Sequence, residues 1–79
     1  MTDVPAISLV VPCFDEEEIL PRTLARLHAA GQATGSSYEI VLVDDGSRDR
    51  TWEIIATEAK GATRVRGVRL SRNFGHQMA

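Results

Sequence analysis

The sequence predicts an α/β fold built on a small parallel sheet. The apolar run from Ile40 to Val43 does not alternate with polar residues, which is typical of a strand covered on both faces. Two helix-like segments separate three strand-like segments, an order that implies right-handed crossovers between parallel strands. The turns that follow the strands are rich in polar and charged residues, whereas the turns that precede them contain mainly small ones. Open α/β sheets bind ligands where their strands end, so the polar edge is the predicted binding edge.

Length and composition limit the class of protein. The 79 residues can form at most one domain, and a net charge of -2 gives no support for a nucleic-acid-binding surface. The single cysteine, Cys13, excludes an internal disulfide and suits a reducing compartment. We expect Cys13 to be a small buried residue, since no histidine is placed to activate it. No stretch approaches the roughly 20 apolar residues of a membrane span, so the chain is expected to be soluble or peripheral.

The first strand is predicted over Ile7 to Val11, and Pro12 is expected to end it because proline has no N–H to donate. A helix follows from about Asp15 to Ala30. Asp15 has the position of an N-cap residue, with Glu18 at capping-box spacing. Pro21 would remove a hydrogen bond inside such a helix. A short turn over Asp15 to Ile19, with the regular helix starting near Pro21, fits the sequence equally well. The buried face of the helix is predicted from Leu20, Leu24 and Leu27.

The second half of the sequence repeats the order of a strand followed by a helix. Tyr38 to Val43 is predicted as the second strand, after a polar loop of small residues. Asp49 or Thr51 can cap a second helix that runs to Lys60, with Gly61 in the usual stop position. Val65 to Leu70 is a weaker third strand, since arginines and a glycine interrupt it.

Three polar turns therefore converge on the binding edge: Pro12 to Glu17, Asp44 to Asp49 and Ser71 to His76. The adjacent carboxylates of Asp44 and Asp45 repel each other unless a ligand or cation compensates them. They can accept hydrogen bonds from a base imide or a ribose hydroxyl, or help to hold a divalent cation.

Other groups at this edge suit a nucleoside diphosphate. Asp15 and Glu16 can accept hydrogen bonds from ribose hydroxyls, and the forked guanidinium of Arg72 can neutralise phosphate. The N-termini of the helices add backbone N–H donors. Simpler interpretations stay open: Asp44 can be a turn cap, and Glu16 can be part of a favourable acidic first turn. The basic run that includes Arg72 can be the solvated side of a strand; its other members are Arg64, Arg66 and Arg69.

Three segments resemble a known family. Val10 to Glu17 is similar to the opening Val-Val-Pro-x-Tyr-Asn-Glu of the family 2 glycosyltransferases. Val43 to Thr51 resembles their Val-Asp-Asp-Gly-Ser-x-Asp-x-Thr. Leu70 to His76 looks like the Ser-Arg-Asn-Phe-Gly segment of the branch that transfers a sugar from a nucleotide donor to a polyprenyl or dolichyl phosphate.

The resemblance implies that residues 1–79 are the incomplete N-terminal, nucleotide-sugar-binding half of a GT-A fold, a Rossmann-like three-layer parallel sheet. Asp44 would read the base, and Asp45 would support the ribose or the turn. Asp15 departs from the usual asparagine and adds a charge near the ribose contact. The site residues implied for the nucleotide are Pro12, Phe14, Glu16, Asp44, Asp45, Arg72 and Asn73.

The resemblance also places the metal-binding Asp-x-Asp, the catalytic base and the acceptor-lipid elements downstream of residue 79. We therefore expect a fragment or truncated product that is inactive alone, and we assign no catalytic or metal-binding residue in it. The complete enzyme is expected to use Mg²⁺ or Mn²⁺, a UDP- or GDP-sugar and a lipid-phosphate acceptor, at the cytoplasmic face of a membrane. No nucleic-acid partner is expected, and the open sheet edge can support self-association.

Two other classes of function are compatible with parts of the sequence. A receiver-like signalling domain would use its acidic cluster to bind magnesium, but it needs a further aspartate where the third strand ends, and Leu70-Ser71-Arg72 stands there. A non-catalytic nucleotide-binding or assembly module derived from a shortened transferase is the second alternative.

Overall fold

A computed structural model describes residues 4–61 and 64–70 of the chain. Three parallel strands form one sheet in the order β1-β2-β3, which confirms the predicted Rossmann-like α/β class. Each crossover between neighbouring strands contains one helix. The elements are β1 (Ile7–Cys13), α1 (Leu20–Ala33), β2 (Tyr38–Asp44), α2 (Thr51–Gly61) and β3 (Val65–Arg69).

Both helices pack on the same face of this sheet. A Cβ atom added at Gly31 of α1 would overlap the Tyr38 ring, so α1 lies directly against the start of β2. A Cβ added at Gly67 of β3 would lie 2.6 Å from Cγ2 of Ile55, so α2 lies equally close to β3. The core between the helices and this face consists of Cys13, Leu20, Leu24, Tyr38, Ile40, Leu42, Ile55 and Val65.

The other face of the sheet is open in the described residues. The non-alternating apolar run predicts a β2 strand covered on both faces, yet Val41 and Val43 are only half-buried. Their neighbours Val10 and Val68 are 62% and 41% exposed. The described part of the chain thus supplies the sheet and one helical layer. We call Val10, Val41, Val43 and Val68 the valine face.

Pro12 does not end β1, contrary to the prediction, because its missing N–H lies on the free side of an edge strand. The Ile7 N–H donates to the Ser37 carbonyl, and the Cys13 carbonyl accepts from the Asp45 N–H. Odd-numbered residues of β1 therefore bond to β2, and Pro12 faces the other edge of β1, where the described part of the chain places no strand.

Helix α1 begins at Leu20 rather than at a cap on Asp15, and Pro21 lies in its first turn. The alternative of a short turn before the helix is therefore confirmed, while the capping role predicted for Asp15 is wrong. Its φ of 50° lies in the left-handed region, which aspartate tolerates better than most residues. The predicted apolar face of α1 is confirmed, since Leu20 and Leu24 are buried and Leu27 packs against the core.

Candidate functional site

The loops that follow β1 and β2 lie side by side at one edge of the sheet, as parallel strands require. The Asp45 N–H donates to the Cys13 carbonyl at 3.0 Å, and the Leu70 N–H donates to the Asp44 carbonyl at 2.9 Å. These bonds join the ends of all three strands. The third predicted turn, with Arg72 and Asn73, lies outside the described residues.

Asp44 is the central group of this edge. Its carboxylate is fully buried, and Oδ1 accepts a hydrogen bond from the Ser47 N–H at 3.2 Å. Oδ2 has no hydrogen-bond partner among the described residues and lies 3.7 Å from Nε of Arg69. That separation allows charge attraction but is too long for a good hydrogen bond. The turn-cap interpretation thus accounts for one oxygen, whereas the other retains its capacity to accept a hydrogen bond.

Arg69 is a residue that the sequence reasoning did not connect with Asp44. The two residues are register partners in neighbouring strands, and the Arg69 guanidinium also lies 5.4 Å from the centre of the Trp52 ring. Aligning the ends of β2 and β3 would have revealed the pairing. Since the Arg69 side chain is 56% exposed, the ion pair stabilises the fold only modestly.

The remaining predicted site residues that the structure describes surround Asp44 at this edge. Pro12 is exposed and is the last residue but one of β1, and Phe14, the residue that follows β1, is 45% exposed. Glu16 is half-buried and begins the turn into α1, where its carbonyl accepts the Leu20 N–H at 2.9 Å. Asp45 is exposed. The fold therefore brings these residues to one edge, and their contacts with a nucleotide stay a prediction.

The two loops are also joined by five side-chain-to-backbone hydrogen bonds that the sequence did not predict. Amides of the first loop donate to side chains of the second, and amides of the second donate to carboxylates of the first. We call these bonds the interloop network: Asp15 N to Ser47 Oγ at 2.9 Å, Glu16 N to Thr51 Oγ1 at 2.7 Å, Glu17 N to Asp49 Oδ2 at 3.2 Å, Arg48 N to Asp15 Oδ1 at 2.7 Å and Arg50 N to Glu17 Oε1 at 2.9 Å.

Asp49 caps the start of α2, because its Oδ1 accepts from both the N–H and the hydroxyl of Thr51, at 2.9 and 2.5 Å. Partial desolvation acts to raise the pKa of Asp49, but hydrogen bonds from Thr51 and the Glu17 amide outweigh it and lower the pKa. The predicted capping role of Asp49 is confirmed, and its carboxylate stays ionised at neutral pH.

Cys13 is 1% exposed, which confirms the prediction of a small buried residue. Burial, followed by the nearby carboxylates of Glu16 and Asp44, raises the pKa of the thiol to about 11. The thiol is therefore protonated at neutral pH and is a poor nucleophile.

Two arginines of the basic run have partners away from the binding edge. The Arg64 guanidinium lies 4.6 Å from the centre of the Tyr38 ring, and Arg66 pairs with Glu39 at 3.5 Å on the open face. The contact of Arg66 favours the interpretation as the solvated side of a strand, whereas Arg64 precedes β3 and covers the buried Tyr38 ring.

The described residues do not fit a complete metal site. They contain no group of three or more histidine, cysteine, aspartate or glutamate side chains arranged to hold a metal ion. Two carboxylates of this edge, those of Asp15 and Glu17, instead accept from backbone amides in the interloop network. We therefore assign no chemical step to a metal held by these residues.

Comparison with known proteins places the chain in a family. The family model described as glycosyl transferase family 2 matches residues 8–79, which is most of the chain. The chain belongs to glycosyl transferase family 2. The resemblance based on the three motifs is thus confirmed, and the receiver-like alternative is not supported.

Curated relatives of this glycosyltransferase chain include two proteins named undecaprenyl-phosphate 4-deoxy-4-formamido-L-arabinose transferase. The chain is 42% identical to the one from Shewanella sediminis over 78 residues, covering 98% of this chain and 24% of the relative. It is 45% identical to the one from Pseudomonas paraeruginosa over 78 residues, covering 96% and 23%. The uncharacterized glycosyltransferase YkoT of Bacillus subtilis is 40% identical over 81 residues, covering 95% and 24%.

The chain therefore spans about a quarter of the length of the curated relatives it matches. Within residues 4–61 and 64–70, neither helix is long and apolar enough to cross a membrane.

Proposed function

We propose that this chain binds the donor nucleotide of a glycosyltransferase that moves a sugar from a UDP- or GDP-sugar to a polyprenyl phosphate. The observation that carries the proposal is the buried Asp44 carboxylate, whose Oδ2 lacks a hydrogen bond among the described residues. A buried acceptor in this state is costly unless a ligand donates to it. A base imide N–H is such a donor, and Asp44 lies where parallel strands end.

The neighbouring residues give the rest of the proposed nucleotide site. Pro12 and Phe14 line the base, and Glu16 accepts from a ribose hydroxyl. Asp45, which is exposed beside Asp44, supports the ribose or the turn. Arg72 and Asn73, outside the described residues, lie near the diphosphate in this proposal.

The acceptor class rests on the relatives. Two of them are named as transferases acting on undecaprenyl phosphate, so a lipid phosphate is the acceptor we propose. Transfer breaks the bond between the anomeric carbon and the diphosphate and forms one to an oxygen of the acceptor phosphate. The residues of this chain hold the nucleoside during that exchange. The catalytic base and the ligands of Mg²⁺ or Mn²⁺ belong, in this proposal, to segments beyond residue 79, at the cytoplasmic face of a membrane.

The test is a calorimetric titration of the 79-residue chain with UDP, GDP and their sugars, with and without Mg²⁺ or Mn²⁺. We expect one nucleoside diphosphate to bind and the Asp44→Asn variant to lose at least about tenfold in affinity. The single amide oxygen of asparagine is needed by the Ser47 N–H, so the NH2 group, which can only donate, takes the place of Oδ2. Glu18→Gln is the matched control, because Glu18 is an exposed acid outside the interloop network. Absence of binding by the unchanged chain overturns the proposal, and so does tight binding by Asp44→Asn.

A sugar-transfer assay tests the second part of the proposal, that these residues bind the nucleotide but do not catalyse transfer. We expect the 79-residue chain to transfer no sugar to a polyprenyl phosphate, because the proposal assigns the catalytic base to other segments of the enzyme. Measurable transfer by the purified chain would contradict this assignment.

The alternative of an assembly module is favoured by a separate observation, the valine face. Val10 and Val68 are exposed apolar residues beside the half-buried Val41 and Val43, and no other strand of residues 4–61 and 64–70 pairs with the outer edge of β1 or β3. Apolar faces and open edges promote association between chains. Sedimentation velocity over a range of concentrations tests whether two copies of the chain associate through the valine face. We expect Val10→Ser to abolish the dimer. Val4→Ser, which changes an exposed valine outside the sheet, should leave the dimer intact.

A further inference from the structure

We propose that the interloop network sets the geometry of the nucleotide site, with Thr51 and Asp49 as positioning residues that do not touch the ligand. This inference rests on the proposed function, because it concerns the same binding edge. Both residues belong to the motif from Val43 to Thr51, and the inference gives them a physical role that the motif comparison does not supply.

The network is reciprocal, which makes the two loops one rigid unit. The amides of Glu16 and Glu17 donate to side chains of the second loop. In return, the amides of Arg48 and Arg50 donate to carboxylates of the first. A shift of either loop breaks bonds in both directions, and the partly buried amides of Glu16 and Glu17 lose their partners. The relative position of the loops is therefore determined more tightly than either turn alone would allow.

The network connects the two groups that meet the nucleoside. Ser47 donates its N–H to Oδ1 of Asp44, and its hydroxyl accepts from the Asp15 amide. Thr51 holds the amide of Glu16, the residue proposed to meet the ribose. The base-binding carboxylate and the ribose-binding turn are thus tied to the same short stretch of chain. Their separation depends on Ser47 and Thr51.

Thr51 is not accessible to a ligand. Its side chain is fully buried, and its hydroxyl accepts from the Glu16 amide at 2.7 Å while donating to Asp49 at 2.5 Å. Asp49 is engaged at both oxygens, by Thr51 through Oδ1 and by the Glu17 amide through Oδ2. These contacts assign a positioning role to both residues.

The experiment compares Thr51→Val, which keeps the size but removes the hydroxyl, with Thr51→Ser, which retains it. Nucleoside-diphosphate affinity is measured by calorimetry at a temperature where every variant is folded. We expect Thr51→Val to weaken binding by at least about tenfold and Thr51→Ser by less than about twofold. Ile55→Val is the stability control, because Ile55 lies in the core face of the same helix and makes no bond in the network. It should lower stability without changing affinity.

Amide hydrogen exchange supplies a readout that a general loss of stability would not produce. In Thr51→Val the amides of Glu16 and Glu17 should lose protection, whereas those of β2 should keep it. In Ile55→Val any loss of protection should not be confined to the two loops.

The possible results separate this inference from the proposed function. If the unchanged chain binds no nucleoside diphosphate, both are overturned. If it binds and Thr51→Val binds equally well, the positioning role is wrong while the proposed function stands. Equal weakening by Thr51→Val and Ile55→Val would also overturn the positioning role, because a general loss of stability would then explain the effect.

Discussion

The two ends of the sheet satisfy their polar groups in different ways. At the end where β2 begins, the Tyr38 hydroxyl lies 2.9 Å from Nδ1 of His28, and the Arg64 guanidinium covers its ring. Tyr38 there pairs with two other side chains, one side-chain-to-backbone bond joins the chain before β1 to the chain before β2 (Ala6 N–H to Ser37 Oγ, 2.9 Å), and Gly31 allows helix and ring to touch. At the binding edge, side chains pair with backbone amides of another loop, and one oxygen of Asp44 has no hydrogen bond among the described residues. The first end is built for packing, and the second retains a group for a ligand.

The largest effect is expected from Gly31→Ala at the packing end. The added methyl would overlap the Tyr38 ring, which His28 and Arg64 hold in place, so overpacking should lower the free energy of unfolding by about 1–3 kcal/mol. Nucleotide affinity of the folded protein should not change. Chemical denaturation and calorimetry measure the two quantities.

Gly61→Ala is the matched control for that substitution, because nothing lies within 4 Å of a Cβ at this position in the last turn of α2. It should leave stability unchanged or raise it by up to about 1 kcal/mol. Equal destabilisation by both substitutions would show that contact with Tyr38 is not the cause.

A smaller effect is expected from Tyr38→Phe, which removes the hydroxyl and keeps the ring. Loss of the hydrogen bond to His28 should lower the free energy of unfolding by about 1 kcal/mol. If nucleotide affinity also falls, the two ends of the sheet are energetically coupled, and the contrast between them is too simple.

The pH dependence of stability tests the binding edge, the other end of the comparison. Hydrogen bonds lower the pKa of Asp49 in the folded state, so its ionised carboxylate stabilises the fold. This stabilisation is fully present above pH 3.8, the ordinary pKa, and is lost as the pH falls through the lower pKa of the folded state. The difference in stability between the unchanged chain and Asp49→Asn should therefore shrink as the pH falls below about 3.8. Denaturant titrations at a series of pH values measure it, and a constant difference would contradict the assignment.

The smallest effect is expected at Glu53, whose ion pair with Arg50 is 3.0 Å long but exposed on both sides. Glu53→Gln should change the free energy of unfolding by less than about 0.5 kcal/mol, because solvent screens such pairs. It should leave nucleotide affinity unchanged, since Arg50 joins the interloop network through its backbone N–H. A clear loss of affinity would show that the Arg50 side chain also orients the loops.

Local sequence patterns were sufficient to predict the helices and strands and their order along the chain. They were less successful in predicting the residues at which these elements begin and end. The helix spacing of Leu20, Leu24 and Leu27 predicted the buried face of α1, because that periodicity is a property of neighbouring residues. The prediction failed at Pro12, because whether a missing N–H matters depends on which strand lies beside it.

By itself, the sequence determined the α/β class, the parallel direction of the strands and the placement of Asp44 where β2 ends, since each follows from short-range pattern and chain direction. Only the tertiary structure decided how the carboxylates there are used. Asp15 and Glu17 hold amides of the other loop, more than thirty residues away, while Asp44 keeps one oxygen without a hydrogen bond among the described residues. A hydrogen bond between distant loops depends on distances of tenths of an ångström, which packing sets and sequence spacing does not encode.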